Sequence, residues 1–161
     1  MSLPSDDPWA AYARTVVQIA RLGEPDLIVR GAPSGAHGEW PWSSLEPVHI
    51  LTAWDPGTEL LGEQENRERE AALEAELQRL RPAAWWLAVG VDPVSGHREE
   101  GVAVQGLVVE LVQQVGARYD QDAIFSWTRS EWVIAACLGG RRVVLGWSVA
   151  EEGPTKSTRR T

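Results

Sequence analysis

Cysteine and long apolar runs are what this sequence has least of. The one cysteine, Cys137, excludes an internal disulfide, and its place in the apolar stretch WVIAACL favours an inert core thiol. No stretch approaches the roughly 20 apolar residues of a membrane-spanning helix. The start, MSLPSDDPW, lacks the basic residues and the apolar core of a signal peptide. We therefore expect a soluble protein of the reducing cytoplasm, without membrane association.

Basic side chains are also in short supply. The chain has 15 of them against 23 acidic ones, and every acidic residue precedes Pro154. Residues 1–153, with 12 basic and 23 acidic residues, therefore carry a net charge of −11. Such a body repels a phosphate backbone, and no basic stripe alternates with aromatic residues, which argues against nucleic-acid binding. The charge suits a basic protein partner or, more simply, solubility.

The chain is long enough to form a core of its own. At 161 residues, of which 43% are hydrophobic, it suits one globular domain that needs neither disulfides nor metals for stability. We expect that domain to span residues 1–153. The remaining segment, residues 154–161, is short, polar and basic, which predicts a disordered tail.

Phenylalanine is nearly absent, with one residue, whereas tryptophan occurs nine times. Indole combines a large apolar area with one N–H group, and it therefore favours half-buried places such as pocket walls and interfaces. Within strands we interpret tryptophan as core bulk. Trp40 and Trp42 differ because they lie in an unusually long connection, residues 31–47, typical of a lid, a binding loop or a disordered segment. They are candidates for anchoring this loop or contacting a ligand.

Hydrophobic periodicity predicts three helices and seven strands. The element order lacks the strict alternation of a doubly wound sheet, so we predict an α+β fold: a single layered domain whose mixed or mostly antiparallel sheet packs against two to three helices. The predicted helices run from a cap at Asp6 or Asp7 to Gly23, over 63–81 and over 106–118, and the strands cover 27–30, 48–54, 84–91, 98–104, 123–128, 131–138 and 141–149.

Asn66 lies on the apolar stripe of the second predicted helix. Leu73 follows it by seven residues, and two helical turns return to nearly the same direction, so Asn66 faces inward in the first turn. An amide turned away from water needs partners. The nearest backbone groups belong to the loop 55–62, and we predict that Asn66 holds this loop in place.

The common catalytic and metal-binding motifs are missing. His37, His49 and His97 stand on separate elements without histidine or cysteine partners at ligand spacing, which argues against a zinc site. The stretch GAPSGAHG lacks the Gly-Lys-Ser/Thr of a phosphate loop, and no G-x-S-x-G elbow is present. We predict neither a metal nor a cofactor.

Polar residues at the ends of core elements are the remaining candidates for a site. If they converge beyond the end of a central strand, they form a pocket of carboxylates and amides in which a partly desolvated carboxylate can act as a general base. Turn formation and loop capping are the simpler alternative for each residue taken alone. The candidates are Thr52 and Asp55 after the central strand, Asn66, Glu99 and Gln121, with Trp40 and Trp42 as a roof.

Four short motifs carry a family resemblance. The strings TAWDP, EN, EEGVAVQG and YDQDAIF resemble the T-A-x-N-P, E-N, E-P-S-F-x-V-x-G and F-G-Q-x-A-I-F of the bacterial family called domain of unknown function 3293. The likeness spans about residues 27–128. It implies no activity, because the family has none assigned. Its motif positions are Thr52, Ala53 and Pro56, the pair Glu65 and Asn66, then Glu99 and Gln121.

Four of the departures of this chain from the family pattern bear on the candidate pocket. Asp55 stands where the family shows Asn, Glu100 and Gly101 stand where it shows Pro-Ser, and Asp120 stands where it shows Gly. If the family serine were a nucleophile or a ligand contact, Gly101 would have removed it. A mechanism based on that hydroxyl is therefore doubtful here, whereas Asp55 adds a charge to the candidate pocket.

Two functional hypotheses remain open. The first is a small polar molecule bound in the carboxylate/amide pocket, with weak hydrolase-like acid-base chemistry for which Asp55 and Glu99 are the catalytic candidates. The second is a non-enzymatic acidic interaction protein of the inhibitor or immunity type, which masks a basic protein partner through charge and aromatic anchors. The first is favoured narrowly. The sequence does not decide the oligomeric state.

Overall fold

The computed structural model shows eight antiparallel strands closed into a barrel, with three helices on its outside. It describes residues 7–55 and 60–152; the predicted tail, residues 154–161, and the motif residue Pro56 lie outside them. The strands are β1 Val16–Ile19, β2 Asp26–Ala32, β3 Val48–Thr52, β4 Ala84–Val91, β5 Arg98–Gln105, β6 Ala123–Trp127, β7 Trp132–Ala136 and β8 Arg142–Glu152. The helices are α1 Pro8–Arg14, α2 Glu63–Arg79 and α3 Val109–Arg118.

The closed barrel corrects the predicted fold class, since a layered α+β domain with an open sheet is wrong. Around the barrel the strands follow the order β1, β2, β8, β7, β6, β3, β5, β4, and β4 pairs with β1 to close the ring. The strand that closes it, β1, lies where the sequence predicted the second half of a helix. Closure leaves no sheet edge exposed, which an open layered sheet must protect by other means.

Long-range pairing explains why the first predicted helix is only half present. Helix α1 begins as predicted, with the Asp7 side chain accepting a hydrogen bond from the Trp9 amide and with Pro8 in the first turn. It ends at Arg14. Residues Val16–Ile19 then hydrogen-bond with β2 on one side and β4 on the other. Two ladders outweigh a local helical spacing that β-branched residues support only weakly.

The other predicted elements are found close to their expected places. Helix α2 ends two residues before its predicted end, and β4 and β5 lie at their predicted places and pair as an antiparallel hairpin. His49 is buried in β3, with Nδ1 2.8 Å from the Ser126 Oγ. Cys137 is buried and unpaired, and burial raises its thiol pKa to about 12, which fits an inert core thiol.

The barrel wall separates two apolar cores. Outside the wall, α2 and α3 cover the outward side chains of β3, β5, β6 and β7, with Leu73, Leu77, Val112 and Val115 fully buried. Inside the wall, inward side chains of all eight strands meet, among them Val17, Leu27, Val48, Ala103 and Trp127. Because inward and outward residues alternate along a strand, one strand can contribute side chains to both cores.

One end of the barrel is filled by a tryptophan plug. Its centre is Trp127, whose ring lies 5.2 Å from the rings of Trp40 and Trp147, 5.9 Å from Trp42 and 6.1 Å from Trp132. The connection 33–47 crosses this end and contributes two of the rings. The plug consists of Trp40, Trp42, Trp86, Trp127, Trp132 and Trp147.

Inward side chains become smaller from the plug to the opposite end, which we call the mouth. The change is the same on three strands, each of which starts with an indole at the plug and finishes with a methyl group or a hydrogen at the mouth. The series are Trp86, Ala88, Gly90 on β4, then Trp127, Phe125, Ala123 on β6, and Trp132, Ile134, Ala136 on β7. This taper leaves the mouth end of the barrel unfilled.

The helices are short or polar. Among residues 7–55 and 60–152, none has the length and apolar character needed to cross a bilayer.

Candidate functional site

A cavity of about 260 Å³ occupies the mouth of the barrel. Its floor is apolar and is formed by inward side chains in the middle of the strands, including Val17, Ile50, Ala88, Phe125 and Ile134. Its rim is polar and combines residues from α1, the ends of β3 and β4, the start of β5 and the segment before β6. The rim residues are Tyr12, Thr15, Thr52, Asp55, Asp92, His97, Glu99 and Gln121.

Asn66 holds the segment that follows β3. Its Oδ1 accepts a hydrogen bond from the Asp55 amide at 2.9 Å, and its Nδ2 donates to the Asp55 Oδ1 at 3.0 Å and to the Leu61 carbonyl at 3.4 Å. The Leu61 amide also donates to the Asp55 Oδ1, at 2.8 Å. Asn66 is 2% exposed. The predicted inward direction of this amide and its contact with the loop are thus confirmed, since one residue contacts both Asp55 and Leu61.

Two further side chains of α2 support the same segment. The Glu70 carboxylate, buried at 2% exposure, accepts a hydrogen bond from the Ala53 amide at 3.0 Å. Arg69 donates through Nε to the Ala53 carbonyl at 2.8 Å and through Nη2 to the Tyr119 carbonyl. Helix α2 therefore connects the end of β3 to the end of α3, so that Asp55 is held by a rigid element.

Asp55, His97 and Glu99 converge at the rim. The His97 Nε2 lies 3.3 Å from the Asp55 Oδ2 and 3.0 Å from the Glu99 Oε1. The side chain of Asp55 is 8% exposed, that of Glu99 27% and that of His97 42%. Burial raises the pKa of Glu99, His97 lowers it by hydrogen bonding and charge, and the Asp55 charge raises it further. The His97 imidazole therefore contacts both carboxylates.

The same three side chains form a group that can share a cation. Each offers one ligand atom, and these atoms lie within 4.8 Å of one another, among the residues that the structure describes. Imidazole nitrogen and carboxylate oxygen suit several divalent metals. The prediction that this chain binds no metal stays a prediction.

Helix α1 covers one side of the mouth and is held there by polar contacts. None of its residues is buried. The Tyr12 hydroxyl donates to the Asp122 Oδ2 at 3.2 Å, and burial and the Asp122 charge raise the pKa of this phenol. Arg14 donates from Nε and Nη2 to the two oxygens of Asp92, both at 2.8 Å, which holds the pKa of that carboxyl well below its usual range.

Thr52 and Gln121 both line the cavity while also supporting its wall. The Thr52 hydroxyl donates to the Glu100 carbonyl and accepts from the Trp54 amide at 3.0 Å. The Gln121 Nε2 donates to the Trp54 carbonyl at 3.0 Å. No described residue donates to the Gln121 amide oxygen, which remains available as an acceptor at the rim.

Three of the residues predicted to bind a ligand do not line the cavity. Trp40 and Trp42 belong to the plug at the other end of the barrel, where Trp42 packs against Trp86 at 4.3 Å between ring centroids. The connection 31–47 therefore lies away from the mouth. Asn66 stands behind the wall and acts on the rim through Asp55.

Three of the named departures from the family motifs fall at positions of special backbone geometry. Asp55 and Asp120 have φ of +43° and +57°, in the left-handed region that Asn, Asp and Gly tolerate best. In this conformation Asp55 makes the hydrogen bonds with Asn66 and Leu61 described above. At Gly101, a Cβ would lie 2.5 Å from the Leu51 carbonyl oxygen, so a serine at this position requires the backbone to shift.

Sequence reasoning missed His97 and Tyr12 as rim residues. A usable signal existed for His97, because residues two apart on a strand share a face, which places His97 beside Glu99 at the start of β5. No local signal links Tyr12 to Asp122, which lies 110 residues away.

Comparison with known proteins gives a match of part of the chain to one family model and no activity. Residues 51–124 match the model of a family described as protein of unknown function (DUF3293). The match confirms the resemblance that the short motifs carried, and it runs from the end of β3 through α2, β4, β5 and α3 to the start of β6. No curated protein matches the chain significantly, and no solved structure does.

Proposed function

We propose that this chain, whose residues 51–124 match the model of the family of unknown function DUF3293, binds a small molecule in the mouth of its barrel. The observation that supports the proposal is the taper of inward side chains, which leaves an apolar-floored cavity of about 260 Å³ beneath a polar rim. Small-molecule sites combine these features, and their volumes are usually roughly 300 to 1,000 Å³. Because this cavity is smaller, at about 260 Å³, it suits a small ligand.

The role of each rim residue follows from the hydrogen-bonding atoms that its contacts within the protein leave unused. Gln121 presents its amide oxygen, Thr52 a hydroxyl that is already engaged, and Asp55 and Glu99 present carboxylate oxygens. Asn66 acts indirectly, since it fixes Asp55. Groups held by packing and by a second layer of hydrogen bonds lose little freedom when a ligand binds.

Hydrolase-like acid-base chemistry is the second candidate function, and the contact between His97 and Glu99 supports it. A half-buried carboxylate with a raised pKa, 3.0 Å from an imidazole, forms a pair that can accept and return a proton. The rim offers no activated hydroxyl at Gly101, so the nucleophile in such a reaction is water. Asp55 and Glu99 remain the catalytic candidates.

The interaction-protein alternative loses its aromatic argument. Six of the nine tryptophans form the plug inside the barrel, and of the tryptophans only Trp85 appears among the exposed large hydrophobic residues, at 40%. The acidic net charge is the observation that still supports this alternative. A basic protein partner and a cytoplasmic location stay predictions.

A thermal-shift screen against a metabolite library tests the binding proposal. At least one compound is expected to stabilise the wild type, and Gln121→Ala should reduce that stabilisation because it removes the amide acceptor at the rim. Gln64→Ala, on the exposed face of α2, is the matched control and should respond as the wild type does. If no compound stabilises the wild type, or if Gln121→Ala responds fully, the cavity is not a ligand site.

A further inference from the structure

We infer that the ligand of the mouth is an organic cation, namely a primary or secondary amine attached to a short apolar body. This inference rests on the proposed function and names the ligand class of the same cavity. It combines the charges of the rim, the directions of its acceptors and the apolar character of the floor.

The charge balance of the lining is negative. Among the described residues that line the cavity there are three carboxylates, at Asp55, Asp92 and Glu99, one imidazole, and no lysine or arginine. Arg14 neutralises Asp92 through two hydrogen bonds of 2.8 Å. Asp55 and Glu99 then share His97, and even a protonated imidazole leaves one negative charge uncompensated. An anionic ligand is disfavoured here, whereas a cation relieves the repulsion.

The acceptors among the rim residues match an ammonium group. The Asp55 Oδ1 is occupied by the Leu61 amide and the Asn66 amide, while its Oδ2 faces His97 at the rim. Glu99 contributes a second carboxylate and Gln121 an amide oxygen. A primary ammonium carries three N–H donors and no acceptor, so three acceptors from three different elements can satisfy it. His97 is the most exposed of the group and is therefore the side chain that moves most easily when a cation enters.

The floor explains why the cation should be organic. Directly below the carboxylates lie Val17, Ile50 and Ala88 from three strands, together with the ring of Phe125. A hydrated metal ion held by Asp55, His97 and Glu99 would leave this apolar surface in contact with water. An alkyl body attached to the ammonium covers it, and each buried methylene should strengthen binding about fourfold. The small volume limits that body to a few carbons.

The test compares three compounds of equal length by isothermal titration calorimetry on EDTA-treated full-length protein: n-butylamine, n-butanol and butyrate. Butylamine should bind, butanol should bind about tenfold more weakly because a neutral hydroxyl lacks the charge-assisted contacts, and butyrate should show no binding. Affinity should increase from ethylamine to butylamine as the floor is covered.

Variants connect this selectivity to the carboxylates. Glu99→Gln should lower butylamine affinity about tenfold, by removing one charged acceptor, and should leave the weak affinity for butanol unchanged. Asp55→Asn retains an acceptor for the Leu61 amide, so it serves as a second variant if Glu99→Gln fails to fold by circular dichroism. Glu68→Gln, on the exposed face of α2, is the control and should bind butylamine as the wild type does.

Several results overturn the inference, and they differ from failure of the proposed function. Equal binding of butylamine and butanol, or preferential binding of butyrate, excludes a cation site while the cavity remains a ligand site. Tight binding of Zn²⁺ or Mn²⁺ that depends on Glu99, without amine binding, reassigns the three side chains to a metal. Absence of binding by all three compounds also rejects the amine, whereas the library screen decides separately whether the cavity binds anything.

Discussion

The two ends of the barrel are built from the same strands and have opposite properties. At the plug, six indoles fill the interior, and those of Trp127, Trp132 and Trp147 have no hydrogen-bond acceptor for their N–H groups within residues 7–55 and 60–152. At the mouth, small side chains leave a cavity, and the rim is ordered by hydrogen bonds from α1 and α2. Packing of indole rings dominates at one end, while polar contacts position the groups of the other.

The plug end of the barrel therefore contributes stability, whereas the mouth end holds the candidate site. A site needs unfilled space and desolvated polar groups, and both cost free energy that must come from elsewhere in the fold. In this molecule the dense plug and the helix-covered wall supply that free energy. Changes at the plug should therefore alter folding strongly, whereas changes at the mouth should alter pH dependence and ligand binding.

The largest effect is expected for Trp127→Ala. This ring is fully buried at the centre of the plug, and removal of a buried tryptophan costs about 3–5 kcal/mol of unfolding free energy. Urea titration followed by circular dichroism measures the loss. Trp85→Ala is the control, since its side chain points outward and is 40% exposed, and it should change stability much less. Equal effects of the two substitutions would show that the plug is not the main source of stability.

An intermediate effect is expected for Asn66→Ala. The substitution leaves the Asp55 amide without its acceptor in a buried place, which costs about 1–3 kcal/mol. The same urea titration measures this loss, with Gln64→Ala on the same helix as the control. The variant should also weaken any ligand found for the mouth, because Asp55 loses its support. A stable Asn66→Ala protein with unchanged binding would contradict the role given to this amide.

The smallest effect, and the most specific to the mouth, is a pH dependence due to Glu99. Because its pKa is raised in the folded protein above the ordinary value of 4.5, the fold favours the protonated carboxyl. Its contribution to stability is complete below that ordinary value and is lost as the pH rises through the raised value. The thermal midpoint of the wild type, relative to that of Glu99→Gln, should therefore fall from pH 4 to pH 7. A difference that stays constant across this range would show that Glu99 has no such shift.

Most elements of this fold are visible in the sequence because their signals are local. The leucine spacing of α2, the buried runs of β3 and β4, and the turn between β4 and β5 each lie within one segment. Strand β1 is the exception that decides the architecture. Val16 and Ile19 suit one face of a helix equally well, and only their pairing with β2 and β4 makes them a strand. Without β1 the ring does not close, and a layered sheet is the reasonable prediction.

The candidate site was predictable to a similar extent. Asn66 was found from helical spacing, and Asp55, Glu99 and Gln121 from their places at element ends, and the structure brings the last three to one rim. Trp40 and Trp42 were assigned to that rim because a long loop with two indoles resembles a lid. Their true location depends on which end of a closed barrel the loop 33–47 crosses, and no local pattern contains that information.

The sequence by itself determined where most helices and strands begin and end, which faces are apolar, and that one buried amide must hold the turn after β3. These are consequences of spacing and of the need to satisfy buried polar groups. Only the tertiary structure decided that the sheet closes, that the tryptophans fill one end of it, and that His97 joins two carboxylates at the other. These depend on contacts between segments far apart in the chain, whose free energy exceeds any local preference.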